Sequence, residues 1–145
     1  MNSTTAPIEH FSRKLLDFLK HRKLVLVGRG EMGGQPIANT LRKYRMKFFM
    51  IHSETQGEDE FIKNADIIIS AVGKPNLLKS TDLKPGVILL GVGNCKKDTV
   101  SVGDYNESDI KSVASYYTPA IGGIDIVNIA CLMENVINAC KMQTT

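Results

Sequence analysis

Apolar residues along the 145-residue chain fall into two patterns that alternate from one end to the other. Unbroken runs such as "KLVLV" at 23–27, "KFFMIH" at 47–52, "DIIISAV" at 66–72 and "VILLGV" at 87–92 predict short strands buried on both faces. Between them, apolar residues recur at three- and four-residue spacings, the mark of amphipathic helices. Ile8, Phe11, Leu15, Phe18 and Leu19 predict a helix over 8–21, and Ile37 and Leu41 place one in "QPIANTLRKY" at 35–44. "EDEFIKNA" at 58–65 suits a shorter helix, "NLLKSTDL" at 76–83 a loop or helical turn, and "NESDIKSVAS" at 106–115 at least one helical turn. "SYYTP" at 115–119 reads as a short last strand and "IDIVNIACLMENVINACK" at 124–141 as a long closing helix, apolar at 126, 129, 130, 133, 136 and 137.

Parallel neighbours need crossover connections, and here every crossover has helical or turn character. The predicted fold is therefore α/β: a doubly wound, Rossmann-like, mostly parallel sheet with helices on both faces. Residues 1–22 read as a connecting helix and 23–145 as one nucleotide-binding domain. In such sheets a ligand lies beyond the carboxyl ends of the strands, where strand order reverses. The loops after 27, 52, 71, 92 and 118 are the places for it.

Composition narrows the classes of function. A hydrophobic share of 43% is enough for a core, and a net charge of +3, from 18 basic against 15 acidic residues, is too small for a nucleic-acid footprint. The most basic stretch, "RKLLDFLKHRK" at 13–23, reads as a solvated helix face. No apolar run approaches a membrane span, so a soluble, cytoplasmic chain is expected. Cys95, Cys131 and Cys140 are odd in number and form no C-x-x-C pair, which argues against a disulfide framework or a zinc site. Cys131 and Cys140, inside an apolar periodic segment, read as core fillers.

The strongest local signal is "VGRGEMGG", where Gly28-Arg29-Gly30-Glu31-Met32-Gly33 satisfies G-x-G-x-x-G between a predicted strand and a predicted helix. In that context the first glycine permits a tight turn, the second lets backbone approach a pyrophosphate, and the third lets helix and strand pack closely. Four glycines in seven positions, each costing roughly 0.5–1 kcal/mol in a regular element, favour a ligand over a bare turn. The next loop, "IHSETQG" at 51–57, would meet the adenosine ribose. An acid there accepts from the 2′-hydroxyl of NAD, whereas Arg and hydroxyl groups accommodate the 2′-phosphate of NADP. Glu54 supports the first, Arg29 and Ser53 the second, and the choice of NADP or NAD stays open at this point.

"VGRGEMGGQP", "IHSET", "ADIIISAVGKP", "LKPGVILLGVG", "VGDYNESDIKSVASYYTPAIGG" and "LMENVINA" carry a resemblance that covers the chain from about residue 4 to residue 141. In order and spacing they resemble the NAD(P)-binding domain of the methylenetetrahydrofolate dehydrogenase/cyclohydrolase family. The resemblance implies that Gly28, Arg29, Gly30, Glu31, Met32 and Gly33 form the phosphate loop. His52, Ser53, Glu54 and Thr55 then flank the adenosine, with Arg29 and Ser53 matching positions that face a 2′-phosphate. Ala71, Val72, Gly73, Pro75, Gly93 and Thr118 line the nicotinamide end.

Departures from the family pattern bear on the same loops. Gly30 stands for the serine of G-R-S, Ile51 for the cysteine of C-H-S and Gly91 for the aspartate before the V-G pair, and residues 121–128, "IGGIDIVN", replace P-G-G-V-G-P-M-T. The resemblance also implies a preceding domain that supplies the folate pocket and a catalytic lysine and tyrosine, to which no stretch of this sequence corresponds. Without it, little of the roughly 7–11 kcal/mol available from holding two reactants together is accessible.

The chain's own candidates for chemistry are few. His52 carries an acid–base side chain but also suits packing beside an adenosine, Asp125 suits a helix cap, and Lys74 suits a solvated position or a phosphate contact. No catalytic triad or metal-ligand set can be assembled. The leading expectation is a dinucleotide-binding module, either a detached piece of an enzyme or a subunit completed by a separate folate-binding chain, with that chain or a second copy of itself as partner. Its rivals are a non-catalytic interaction protein that kept the fold and lost the cofactor, and an independent small oxidoreductase.

Overall fold

Strands of this chain alternate their side chains between two covered faces, which is why their sequences read as continuous apolar runs. The computed structural model describes residue 14, residues 17–97 and residues 100–143. Five parallel strands form the main sheet: β1 (Leu24–Val27), β2 (Phe48–Ile51), β3 (Ile67–Ser70), β4 (Val87–Gly91) and, later in the chain, β7 (Ala114–Tyr117). Their order is β2-β1-β3-β4-β7. β1 pairs in register with both neighbours, Leu24 opposite Phe48 on one side and Ile67 on the other.

Val25, Val27, Ile68, Val87 and Leu89 point to one face, where Ile62 of helix α2 (Glu58–Lys63), Leu78, Leu83, Tyr105 and Ile110 cover them. Leu24, Leu26, Ile67 and Ile69 point to the other, beneath Ile37, Ala38 and Leu41 of helix α1 (Gly34–Lys43) and beneath Leu19. Fully burying a Leu, Ile or Val side chain contributes about 1.5–3 kcal/mol, so these two layers dominate the stability of the sheet. The doubly wound parallel α/β fold read from the sequence is the one observed.

Local boundaries differ in three places. Residues 94–97 (β5) and 100–103 (β6) form an antiparallel hairpin that the apolar pattern did not predict. Helix α3 occupies only Glu107–Ile110, started by the Asn106 side chain accepting from the Ser108 N–H at 2.9 Å. The last strand begins at Ala114, and its register shifts between Val87 and Ile88 of β4, with the Ser115 hydroxyl donating to the Gly86 carbonyl at 2.8 Å. The helix expected over 8–21 lies largely outside the described residues, of which 14 and 17–20 are helical.

Helix α4 (Ile124–Gln143) runs as predicted but is exposed along its length. Ile126, Val127, Ile129, Leu132, Met133, Val136 and Ile137 each keep half or more of their surface in solvent. The expectation that Cys131 and Cys140 fill a core is therefore corrected: both are exposed. Their periodicity identified a helix correctly, but burial depends on a second surface, and none among the described residues covers this one.

An ion pair secures the opposite end of the sheet from the glycine loop. Asp66 accepts from Lys84 Nζ at 2.5 Å and from the Lys23 backbone N–H at 2.9 Å. The Lys84 ammonium first, then the Lys23 N–H, hold its carboxyl below the usual carboxylate range. A carboxyl lowered in the fold adds stability above its unfolded pKa, near 4, and loses it as pH falls through the folded value. Asp66→Asn is expected to cost about 1 kcal/mol at neutral pH and to flatten the acid side of a stability–pH curve below pH 4. Parallel curves for variant and parent would remove Asp66 from the acid response.

Candidate dinucleotide site

The strand order reverses between β1 and β3, so the crevice beyond their carboxyl ends is where an open α/β sheet takes its ligand. Val27 ends β1 and Ser70 ends β3, paired as neighbours. The chain leaves β1 at Gly28 with φ of +107°, a conformation that disfavours a side chain, and a Cβ there would lie 2.8 Å from the Ala71 carbonyl oxygen. Close approach of the first glycine to the β3 loop is thus what the turn requires. Gly33 packs on Ala71 as the third glycine of the motif should, its absent Cβ 3.3 Å from the Ala71 Cβ. Gly34 is tighter still, since a Cβ would overlap the Gly28 carbonyl. Sequence reasoning counted Gly34 in the cluster without assigning it a function; only the fold brings it against Gly28.

At Gly30 a Cβ would meet nothing within 4 Å, so no internal contact demands glycine there. Its carbonyl accepts from the Gly33 and Gln35 N–H groups at 3.3 and 3.0 Å, closing the loop on itself. Glu31 and Met32 form the turn, with Met32 almost wholly in solvent. The N-terminus of α1 then follows with no side-chain cap and no acidic residue in its first turn, which leaves its positive dipole end uncompensated.

A cleft of about 340 Å³ opens beside this loop, lined by Gly28, Arg29, His52, Ser53, Val72 and Lys74 together with Val27, Glu58 and Leu77. Residues predicted from three separate loops thus meet in one place. The 52–55 segment is a closed turn: the Thr55 N–H donates to the His52 carbonyl at 2.8 Å, and the His52 N–H donates to Thr55 Oγ1 at 3.0 Å. His52 Nδ1 accepts from the Glu54 N–H at 3.3 Å, which places its ring hydrogen on Nε2 when neutral. Glu54 extends to Arg29, with Nη2 and Oε1 3.0 Å apart.

The β3 loop is held from behind. Asp104, fully buried at the end of β6, accepts from Ser70 Oγ at 2.5 Å, the Val72 N–H at 3.1 Å and the Lys74 N–H at 2.8 Å. Gly93 gives it room, because a Cβ there would overlap an Asp104 carboxylate oxygen and the Gly73 nitrogen. Gly73, at φ of +72°, bends the loop between those two anchored amides. In the sequence Asp104 is only part of "VGDYN", and nothing in local periodicity marks a carboxylate whose donors lie 30 or more positions away.

Pro75 and Thr118 sit apart from the Arg29 cleft. Pro75 lines a separate hollow of about 420 Å³ with Asn76, Tyr105 and Glu107. Thr118 is engaged in the scaffold: its Oγ1 accepts from the Gly91 N–H at 2.8 Å, and its carbonyl accepts from the Tyr105 hydroxyl at 2.6 Å. Burial raises the Tyr105 pKa above the usual phenol value, so the group stays a neutral donor. Its ring fills the space beside Gly91, where a Cβ would lie 2.9 Å from Oη. Asp125, expected as a helix cap, instead lies inside the first turn of α4 and accepts from the N–H of Gly122, which precedes the helix, at 3.4 Å. Among the described residues no group of three His, Cys, Asp or Glu is placed to hold a metal, and no helix is long and apolar enough to cross a membrane.

The sequence profile of the tetrahydrofolate dehydrogenase/cyclohydrolase NAD(P)-binding domain matches residues 3–144. The chain belongs to that family. Within this family, the bifunctional protein FolD of Acetivibrio thermocellus is 39% identical over 123 residues, 84% of this chain and 43% of its own length. The mitochondrial C-1-tetrahydrofolate synthase of Schizosaccharomyces pombe is 36% identical over 90% of this chain and 15% of its own. The FolD crystal structure from Campylobacter jejuni superposes with a TM-score of 0.79 at 31% identity, covering 91% of this chain and 49% of that one. A methylenetetrahydrofolate dehydrogenase from the silkworm, Bombyx mori, gives 0.78 at 30% identity, with 97% and 51% covered. The chain spans about half, or less, of the length of these FolD-family relatives, and what it spans is their NAD(P)-binding domain.

Proposed function

We propose that this chain binds a nicotinamide dinucleotide across residues 28–34 and serves as the cofactor half of a methylenetetrahydrofolate dehydrogenase/cyclohydrolase site. The observation that carries this reading is the convergence of the Gly28, His52 and Ala71 loops on one cleft at the β1/β3 reversal. An uncapped helix terminus without first-turn acids supports a pyrophosphate there. In this reading Arg29, His52 and Ser53 of the cleft meet the adenosine, and the loop from Ala71 to Gly73 meets the nicotinamide. When bound, the dinucleotide supplies the hydride acceptor. The chain's own residues bind and orient it, and the folate, with the acid–base groups that work on it, belongs to a complementary domain or chain. A cytoplasmic setting belongs to the same proposal.

Calorimetric titration in low-phosphate buffer is the direct test. Saturable binding of NAD or NADP is expected, with a thermal shift equivalent to about 2.7 kcal/mol at one hundred times the Kd. Hydride transfer from methylenetetrahydrofolate is expected only when a folate-binding partner is added. No stabilisation by either nucleotide at millimolar concentration would overturn the reading. One observation favours the rival, a non-catalytic interaction protein: the solvent-facing apolar residues of α4. That rival predicts self-association or partner capture without nucleotide binding, and a monodisperse monomer in light scattering counts against it.

A further inference from the structure

We infer that Glu54 selects the cofactor of this chain, admitting the dinucleotide with a free 2′-hydroxyl and opposing the one with a 2′-phosphate. The inference rests on the nucleotide-binding reading above and extends it to a choice between NAD and NADP. Glu54 lies about 20 residues beyond the third glycine of the motif and just past the end of β2, the place of the ribose-binding acid in dinucleotide folds. Arg29, the residue suited to a 2′-phosphate, has its Nη2 already engaged by Glu54 Oε1 at 3.0 Å.

The pairing is built into the loop. Three hydrogen bonds among His52, Glu54 and Thr55 fix the backbone that directs Glu54 at Arg29. Both side chains are half or more exposed, at 50% and 67%, so water screens the pair and an entering phosphate can draw Arg29 away. It cannot remove the carboxylate. A 2′-phosphate carrying between one and two negative charges would then stand beside Glu54, with Glu58 also on the cleft wall. Lys74 is the second basic side chain of that wall and shares it with Glu58, while Arg29 is paired with Glu54. A ribose hydroxyl is a donor, and Glu54 Oε2 can accept from it while Oε1 keeps Arg29 in place.

The test is titration of the full chain and its Glu54→Gln variant with NAD and NADP at matched ionic strength in phosphate-free buffer. The parent is expected to bind NAD more tightly, and E54Q to shift the ratio of the two Kd values toward NADP by roughly tenfold. The exposed position of Glu54 leaves the fold intact, which a melting curve checks. A second comparison needs no variant: the parent is expected to bind AMP at least as tightly as adenosine 2′,5′-bisphosphate. Tighter NADP binding by the parent, or an unchanged ratio in E54Q, overturns the inference while leaving nucleotide binding standing. Binding of neither dinucleotide by either protein overturns both.

Discussion

Replacement of Asp104 by alanine is expected to destabilise the domain by about 3 kcal/mol or more, because each buried donor left unsatisfied costs about 1–3 kcal/mol. Three donors lose their acceptor together: the Ser70 hydroxyl and the Val72 and Lys74 N–H groups. Domains of this size have total stabilities of about 5–15 kcal/mol, so the loss is a large fraction of the whole. Asp104→Asn is expected to fall between, since an amide oxygen still accepts but its NH2 faces other donors. Urea denaturation of the parent and both variants measures the series. A loss below about 1 kcal/mol for the alanine variant would mean that water replaces the carboxylate. Nucleotide affinity should fall in the same order, as the 71–75 loop loses its anchors.

The second large effect is expected at Gly34. A methyl group there overlaps the Gly28 carbonyl, and neither backbone segment can yield alone, because Gly28 is also pressed against Ala71. Gly34→Ala should cost about 1–3 kcal/mol through overpacking and weaken dinucleotide binding at least tenfold by displacing the phosphate loop. Gly30→Ala is the control: its Cβ would point into open space, and the change is expected to leave stability within about 1 kcal/mol of the parent or raise it slightly. Equal behaviour of the two variants in denaturation and titration would show that the tight contact at Gly34 is relieved by a shift of α1.

Those glycines illustrate what a sequence can and cannot disclose. The apolar runs at 23–27, 66–72 and 87–92 were legible as doubly covered strands because a parallel sheet leaves no polar face, and the alternation with helices then implied the crevice. The loops that carry Arg29, His52, Ser53 and Val72 were legible for the same reason, since they follow strand ends that a doubly wound topology brings together, whereas His52 and Val72 themselves were singled out by the family resemblance. Asp104 was not, because its meaning lies in hydrogen bonds to Ser70, Val72 and Lys74, across a turn of topology rather than along a helix or strand. The hairpin of 94–97 with 100–103 escaped because "NCKK" has no apolar alternation to announce a strand. On α4 the error had the opposite sense: apolar periodicity was present, and the surface to bury it was assumed.

The contact between Tyr105 and Gly91 couples what the two positions can hold. The Tyr105 ring stands in the volume that a side chain at 91 would need and donates onward to Thr118. The two positions are therefore epistatic. A carboxylate introduced at 91 alone meets a buried, hydrogen-bonded ring, so Gly91→Asp is expected to be accommodated only together with a smaller residue at 105, and each change limits what the other position can hold.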